Sequence, residues 1–402
     1  MNLAIIKERK SPPDKRVVLS PNTCKKLLKK YPSLNICIEP SNIRAYTDGQ
    51  YIKAGLNLTS NISGCDIFLG VKEVPVNALI PNKSYFFFSH TIKKQAYNRN
   101  LLRAILEKNI TLYDHEVITN SKGRRLVAFG YYAGIVGAYN AIRTYGLKAQ
   151  LFNIPKASEM HNKTALIEKL KTVKLPPIKI VVTGKGRVGK GTHEILTGMG
   201  LKEVSVKEFL HQTFNRAVFV QIDVDAYNKR IANDGVRFTK HEFFTNPTAY
   251  KSNFMRFAKV ADVYITGHFY GQGAPYIFTR NDARNPDFNI KVVADISCDI
   301  SGPVAATIRS SSIANPIYGY DPFSEKETDY LNQNAIAVMA VDNLPCELPI
   351  DASDGFGLMF EKHVMPAFFN NDADGILERA RMTSNGKLTK KFAYLQDFVD
   401  GK

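Results

Sequence analysis

The chain has 402 residues, 44% hydrophobic and 23% charged, the proportions of a globular protein long enough for two ordinary domains with cores of their own. Its formal net charge of +17 is spread along the chain rather than gathered into a block, which argues for basic solvated faces that attract small polyanions and against a nucleic-acid module. No apolar run reaches the roughly 18 residues of a membrane helix, the N-terminus lacks a signal-peptide core, and the five scattered cysteines contain no C-x-x-C pair; the reading is a cytoplasmic protein with no membrane or nucleic-acid partner, no disulfide framework and no metal site.

The first third alternates in the manner of an α/β unit. Leu3 to Ile6 predicts a strand, and Ser20-Pro21 supplies an N-cap and first helical position for a helix through Cys24, Leu27 and Leu28. Further strands are expected at Leu34 to Ile38, Cys65 to Val71, Tyr85 to Ser89 and Thr111 to Ile118, with a helix carrying Leu101, Leu102, Ile105 and Leu106 on one face. Lys72 and His90 each follow an apolar strand directly. Ligands of open α/β sheets bind beyond the carboxyl ends of strands, so these two side chains are candidates to converge on one crevice; the competing reading is a solvated loop lysine and a capping histidine.

Gly123-Arg124-Arg125 forms a basic turn, and Gly130 to Gly146 reads as a long buried helix whose glycines, costly in a helix, point to close packing against another helix. A further helix carries Ala165, Leu166 and Leu170 before Pro176-Pro177. Ile178 to Thr183 is then an apolar, mostly β-branched strand running into Gly184-x-Gly186-x-x-Gly189, with a helical pattern of Glu194, Ile195, Leu196 and Met199 behind it. Strand, glycine turn and helix form a dinucleotide fingerprint: Gly184 makes the tight turn, Gly186 lets backbone approach a pyrophosphate, and Gly189 allows close helix–strand packing. The same letters spell G-x-x-x-x-G-K, the start of a nucleoside triphosphate loop, but Gly191 stands where that loop needs a magnesium-binding Ser or Thr.

Glu203 to Val206 is the expected second strand of the nucleotide domain, followed by Lys207-Glu208. An acid there takes the ribose hydroxyls of NAD, so Glu208 favours NAD, and the adjacent Lys207 keeps NADP open. Val218 to Val224, Asp262 to Thr266 and Ile290 to Ile296 are further strands. Asp295 to Pro303 places carboxylates at a strand end, Val338 to Pro345 leads out of the domain, and amphipathic helices fill Asp354 to Phe369 and the tail.

Taken together, R-V-V-L-S-P (Arg16 to Pro21), L-G-V-K-E-V-P (Leu69 to Pro75), F-F-S-H-T-x-K-x-Q (Phe87 to Gln95), L-Y-D-x-E (Leu112 to Glu116) and G-R-R-L-V-A-F-G-Y-Y-A-G (Gly123 to Gly134) resemble the lysine-forming saccharopine dehydrogenases. D-I-S-C-D-I-S-G (Asp295 to Gly302) and A-V-D-N-L-P (Ala340 to Pro345) resemble the lysine-ketoglutarate reductase half of the bifunctional plant and animal enzymes. Both groups lie in the alanine dehydrogenase and transhydrogenase superfamily.

The resemblance implies an α/β architecture of two Rossmann-like domains with parallel sheets and the active site in the cleft between them. Residues 1–128 with 343–402 would form a discontinuous substrate domain, and 129–342 the dinucleotide-binding domain. It implies an oxidoreductase that interconverts saccharopine with L-lysine and 2-oxoglutarate using NAD or NADP. Lys72 and His90 match the catalytic pair. Arg16, Gln95, Arg125 and Phe129 match substrate-holding positions. Glu73 and Glu116 match acidic neighbours of the pair, Glu116 on the substrate side. Arg124 matches a residue facing the cofactor. Gly184, Gly186, Arg187, Gly189, Glu208, Asp295 and Ser297 fall at cofactor positions. Within the superfamily the runner-up is an alanine dehydrogenase-like enzyme using pyruvate and ammonia. Outside it stand a nucleoside triphosphate-binding protein and a non-catalytic nucleotide sensor, which would need neither Lys72 nor His90.

Overall fold

The computed structural model describes residues 1–232 and 235–402. The chain divides into two compact units, Met1–Phe129 with Pro349–Lys402, and Gly130–Leu348. The return crossing lies after Leu348 rather than after residue 342, because Leu344 and Leu348 are buried in the hydrophobic cluster of the second unit. The outward crossing lies between Phe129 and Gly130 rather than one residue earlier: Phe129 stacks on Phe356 of the first unit with ring centroids 4.5 Å apart.

The first unit is built on β1 (Asn2–Ile5), β2 (Asn35–Ile38), β3 (Asn57–Leu58), β4 (Ile67–Leu69), β5 (Ser84–Phe87) and β6 (Thr111–Asp114). Their order is β3-β2-β1-β4-β5-β6 and every neighbouring pair is parallel. This is the order of a Rossmann-like sheet, in which the connections diverge between β1 and β4 and leave a crevice at the strand ends. Ala4, Phe68, Tyr85, Phe87 and Leu112 bury one face of the sheet. Ser20 caps the Pro21–Lys30 helix by accepting from the Thr23 N–H, and Pro21 occupies its first turn. β6 stops at Asp114, short of the expected Ile118, because the Asp114 carboxylate accepts the Glu116 N–H and turns the chain into a 3-10 turn. The C-terminal segment completes this unit. The Pro349–His363 helix contributes Ser353, whose hydroxyl accepts the Val17 N–H at 2.9 Å, and Phe398 offers its carbonyl to Arg99 Nε.

The second unit holds β7 (Lys179–Thr183), β8 (Lys202–Glu203), β9 (Val218–Ile222), β10 (Asn228–Arg230), β11 (Tyr250–Ser252), β12 (Val263–Thr266), β13 (Val292–Ala294), β14 (Ile317–Asp321), β15 (Lys326–Thr328) and β16 (Ile336–Met339). Its main sheet runs β15-β14-β16-β13-β12-β7-β9-β8, while β10 and β11 pair separately as an antiparallel ribbon. The sheet is parallel from β16 to β8; β14 runs antiparallel to both β16 and β15 and adds an antiparallel edge. Along β7, Ile180 and Val182 enter one core cluster and Val181 the other, all fully buried, so both faces are covered as a parallel sheet requires. Each such side chain contributes roughly 1.5–3 kcal/mol through burial.

The strand beside β7 is β9, not the stretch at 203–206. Lys202 and Glu203 are exposed and fit only a two-residue edge strand, whereas Val218, Phe219, Val220 and Ile222 are apolar on both faces and take the interior position. The long helix is Gly130–Lys148, and it crosses the fingerprint helix, Arg187–Gly198, at very short range. A Cβ on Gly134 would stand 2.0 Å from the Val188 carbonyl oxygen, and one on Gly191 2.0 Å from that of Tyr131. Gly137 and Gly146 meet instead the side chains of Ile296 and Phe152, so only part of the helix's glycine content serves helix packing. Gly191 is therefore turned into a helix crossing, which removes it from any magnesium-binding role.

Gly134→Ala should destabilise the protein by about 1–3 kcal/mol, the overpacking outweighing the roughly 1 kcal/mol gained in helix propensity. Gly186→Ala, with nothing within 4 Å of its Cβ position, should cost under about 1 kcal/mol. Urea unfolding of the two variants checks the contrast; equal losses would mean the helix crossing yields freely.

Candidate functional site

In the first unit the loops after β1, β4, β5 and β6 bring ionisable side chains to the carboxyl edge of the sheet. Glu8 follows β1 and is buried. Its two carboxylate oxygens accept the N–H groups of Val71 at 2.7 Å and Lys72 at 2.9 Å, directly across the divergence of β1 and β4. Burial raises the Glu8 carboxyl to about 7 against the lowering effect of the Val71 hydrogen bond. The carbonyl of Gly70, one residue further back, accepts from Nε2 of the fully buried His115 at 2.9 Å. A carbonyl can only accept, so His115 is the neutral Nε2–H tautomer, and burial among Phe88, Phe356 and Phe360 pushes its pKa down to about 3. The backbone that carries Lys72 is thus held on its N–H side by Glu8 and on its C=O side by His115.

A second buried acid organises the neighbouring loops. Asp114 accepts the N–H of Ser89 at 2.9 Å, the Ser89 hydroxyl at 2.5 Å and the Glu116 N–H at 2.7 Å, which ties the end of β5 to the end of β6. His90, the next residue after Ser89, adopts φ 54°, a left-handed conformation uncommon outside glycine. Its ring lies between two carboxylates, with Nδ1 3.6 Å from Glu116 Oε2 and Nε2 4.0 Å from Glu73 Oε1. Glu73 is also bound by Lys10 at 2.8 Å. Interaction with His90 is the largest influence lowering the Glu116 pKa, and Lys93 and Arg125 act in the same direction against burial.

Arg16 is buried and gives one edge of its guanidinium to Asp14, Nε at 3.0 Å and Nη2 at 2.6 Å, while its plane lies 4.2 Å from the Phe129 ring centre. Burial works to raise the Asp14 carboxyl; Arg16 outweighs it and holds the group at about 2. A ligand carboxylate seeking that edge must displace Asp14. Arg125 lies over Phe88 and donates from Nε to the Val127 carbonyl. Gln95 and Arg124 are exposed, on a 3-10 turn and on the basic turn respectively. The first unit therefore gathers Glu73, His90 and Glu116 into one cluster, with Lys72 on the clamped loop beside Glu73 and Arg16 and Arg125 anchored on Phe129 and Phe88.

In the second unit β7 ends in Gly184, at φ +88°, where a Cβ would strike the Gly267 carbonyl oxygen at 2.3 Å. Gly189 packs back on the same turn, its Cβ position 2.1 Å from the Gly184 carbonyl oxygen. Gly186 has open space around it and caps the helix that begins at Arg187. A tight turn, a bare approach at Gly186 and a helix N-terminus of twelve residues fit the pyrophosphate of a nicotinamide dinucleotide. His268, at the end of β12, adds a buried group there. Its Nδ1 bonds the Thr183 hydroxyl at 2.9 Å, Nε2 has no partner, and burial lowers the pKa to about 4.

Two residues expected at the cofactor have carboxylates engaged by the protein itself. Glu208 lies on the Val206–His211 helix in a capping box with Ser205: its carboxylate accepts the Ser205 N–H at 2.8 Å, and the Ser205 hydroxyl accepts the Glu208 N–H. The acid at the end of the strand beside β7 is Asp223 instead. Asp295 is fully buried and accepts five hydrogen bonds, from the hydroxyls of Thr266, Ser297 and Thr307 and from the N–H groups of Ser297 and Cys298. Its capacity is spent on shaping the 297–307 loop, and Ser297 donates its hydroxyl to the same acid. Arg187 is exposed at the helix start. Glu8, Asp114, His115, Asp223 and His268 escaped sequence reasoning, although Glu8 and Asp223 carried a signal in being the acids just beyond apolar strands.

Residues 4–136 match the family described as the alanine dehydrogenase/PNT N-terminal domain. The chain is 29% identical to the mitochondrial alpha-aminoadipic semialdehyde synthase of Mus musculus, over 97% of this chain and 47% of that protein. It is 24% identical to the saccharopine dehydrogenase [NAD(+), L-lysine-forming] of Yarrowia lipolytica, over 86% of each. The chain thus spans about half the length of the synthases it matches. Among solved structures an L-alanine dehydrogenase superposes with a TM-score of 0.65 at 16% identity, covering 100% of this chain and 99% of that one. A transhydrogenase from Sinorhizobium meliloti superposes with a TM-score of 0.57 at 16% identity, over 97% and 100%. These likenesses show a shared fold.

The buried groups have a measurable consequence. Folded Glu8 keeps its proton up to about pH 7 whereas an unfolded glutamate releases it near 4.5, so its contribution to stability falls as pH rises through that window. His115 acts oppositely, favouring the folded state increasingly from about pH 3 to 6.5. Glu8→Gln should therefore gain on the wild type between pH 5 and pH 8 by up to about 3 kcal/mol, read from urea midpoints at both pH values. A stability difference independent of pH would show that Glu8 ionises alike in the folded and unfolded states.

Proposed function

Because the chain belongs to the saccharopine dehydrogenase and lysine-ketoglutarate reductase family of the alanine dehydrogenase and transhydrogenase superfamily, we propose that it is a nicotinamide-dependent oxidoreductase of the C–N bond of saccharopine, interconverting it with L-lysine and 2-oxoglutarate. The observation that carries this reading is the cluster at the strand ends of the first unit: Lys72 on a clamped loop, and His90 between Glu73 and Glu116.

Oxidation at the carbon beside a secondary amine requires the amine to be unprotonated, so a base must remove its proton first. Lys72 is the proposed base, and the clamp of Glu8 and His115 limits where its amine can reach. The resulting imine needs water added and protons moved as the carbinolamine breaks into amine and ketone. His90 is the proposed carrier of those protons, its backbone held by Asp114 through Ser89 and its ring flanked by the carboxylates of Glu116 and Glu73. Saccharopine bears three carboxylates, and guanidinium groups are suited to them; Arg125 and Arg16 are the proposed binders, with Gln95, Phe129 and Glu116 at the substrate side and Arg124 toward the cofactor. When bound, the nicotinamide supplies the hydride acceptor or donor. Gly184, Gly186, Gly189 and Arg187 are proposed to hold its pyrophosphate, with the loop through Ser297 shaped behind it by Asp295.

Purified protein should oxidise a reduced nicotinamide cofactor when given L-lysine with 2-oxoglutarate, followed at 340 nm. Turnover with pyruvate and ammonia but none with lysine and 2-oxoglutarate would assign the alanine dehydrogenase reaction instead. Lys72→Met should lower kcat by about 10²–10⁴ while leaving cofactor dissociation constants within about threefold. Wild-type turnover in that variant would remove Lys72 from the chemistry.

A further inference from the structure

In a Rossmann-like unit the residue at the end of the strand beside the glycine turn meets the adenosine ribose, and a free acid there selects NAD by bonding the ribose hydroxyls and repelling a 2′-phosphate. Here that residue is Asp223, and its carboxylate is already engaged. Oδ1 accepts the Val224 N–H at 2.8 Å, and Oδ2 is bound by Lys240 Nζ at 2.5 Å. Lys240 opens the Lys240–Thr245 helix, in the excursion between β10 and β11, and that helix is capped independently by Thr239 accepting the Glu242 N–H. The lysine side chain is 58% exposed against 20% for Asp223, so its ammonium is open to a ligand while the acid is screened behind it. The nearby Arg230 is turned to another partner, Glu242. Glu208, the acid that would have argued for NAD, serves its own helix cap.

We propose that Lys240 is a ligand for the 2′-phosphate of NADP(H), and that its pairing with Asp223 sets the cofactor preference of this chain toward the phosphorylated dinucleotide. The pair is the reverse of an NAD filter. Lys240 cancels the repulsion that a bare Asp223 would exert, and with one N–H given to Asp223 it has two left to offer a phosphate dianion. A charge-assisted hydrogen bond contributes about 1.5–3 kcal/mol, which corresponds to roughly a 10- to 150-fold difference in affinity. NADH, with a plain ribose, offers the ammonium only neutral hydroxyls and meets an Asp223 whose two oxygens each already accept one bond.

The inference rests on the dinucleotide part of the reading above but not on its substrate, so it is tested by binding alone. Dissociation constants of NADPH, NADH and 2′,5′-ADP are measured by fluorescence or calorimetry on the full chain without substrate, for wild type, Lys240→Met and Asp223→Asn. Wild type should bind NADPH more tightly than NADH. Lys240→Met should weaken NADPH and 2′,5′-ADP at least 10-fold and change NADH less than threefold, with an unaltered thermal midpoint confirming the fold. Asp223→Asn should retain NADPH. An NADPH-to-NADH ratio that moves less than threefold in Lys240→Met overturns the role of Lys240 and leaves the dehydrogenase reading intact. Failure of wild type to bind either dinucleotide overturns both.

Discussion

A carboxyl group buried where β1 and β4 diverge is the constraint on which the first unit's chemistry depends. There Gly70 and Val71 still pair with Phe86 and Phe88 on the β5 side, but the N–H groups of Val71 and Lys72 have no strand acceptor. Glu8 satisfies both at once, at the expense of burying an ionisable group, and the expense appears as a proton held to about pH 7. His115 completes the arrangement by donating to Gly70 from the other side. The loop before Lys72 is therefore held by three hydrogen bonds, which leaves the side chain of the proposed base as the part to be positioned.

Asp114 repeats the device one strand along. Its three hydrogen bonds fix Ser89 and Glu116, and with them the left-handed turn that presents His90 between two acids. In both cases the groups proposed to meet substrate are partly exposed, while fully buried acids bear the desolvation and hold the geometry. The second unit solves the matching problem with glycine. There the backbone itself must come close to a ligand, and Gly184 and Gly189 are in contact so tight that no side chain fits. Asp295 is that unit's buried organiser, accepting from Thr266 at the end of β12 and from Ser297, Cys298 and Thr307 beyond β13.

Much of this could be read from the chain. The apolar runs at β1, β4, β5, β7, β9, β12 and β13 announce buried parallel strands, and residues just beyond them become candidates by the geometry of such sheets alone. Lys72 and His90 were visible in this way, as was the glycine turn. Glu208 was expected from a distance rule that presumes that the next strand after the glycines lies beside the first. A two-residue edge strand and a short helix intervene, so the interior place goes to Val218–Ile222 and the acid to Asp223. The partners of Asp295 were not legible: a carboxylate at a strand end can turn inward, and here it bonds Thr266 and Thr307, which lie 29 and 12 residues away in sequence.

The glycine turn and the interior strands β1, β4, β5, β7, β9, β12 and β13 are legible in the chain, because they follow from local pattern and from the period of a buried strand, while the edge strands and the order in which strands pair are not. Which polar groups are engaged by the protein itself is fixed by the folded chain. Glu8 is committed to the Lys72 loop, Asp14 to Arg16, Glu208 to a helix cap and Asp295 to its own loop, while Lys240 reaches Asp223 from a separate excursion. Asp14, Glu208 and Asp295 find these partners two or three residues away, whereas Glu8 meets Lys72 across 64 residues and Lys240 meets Asp223 across 17, and those two pairings exist only once the chain is folded.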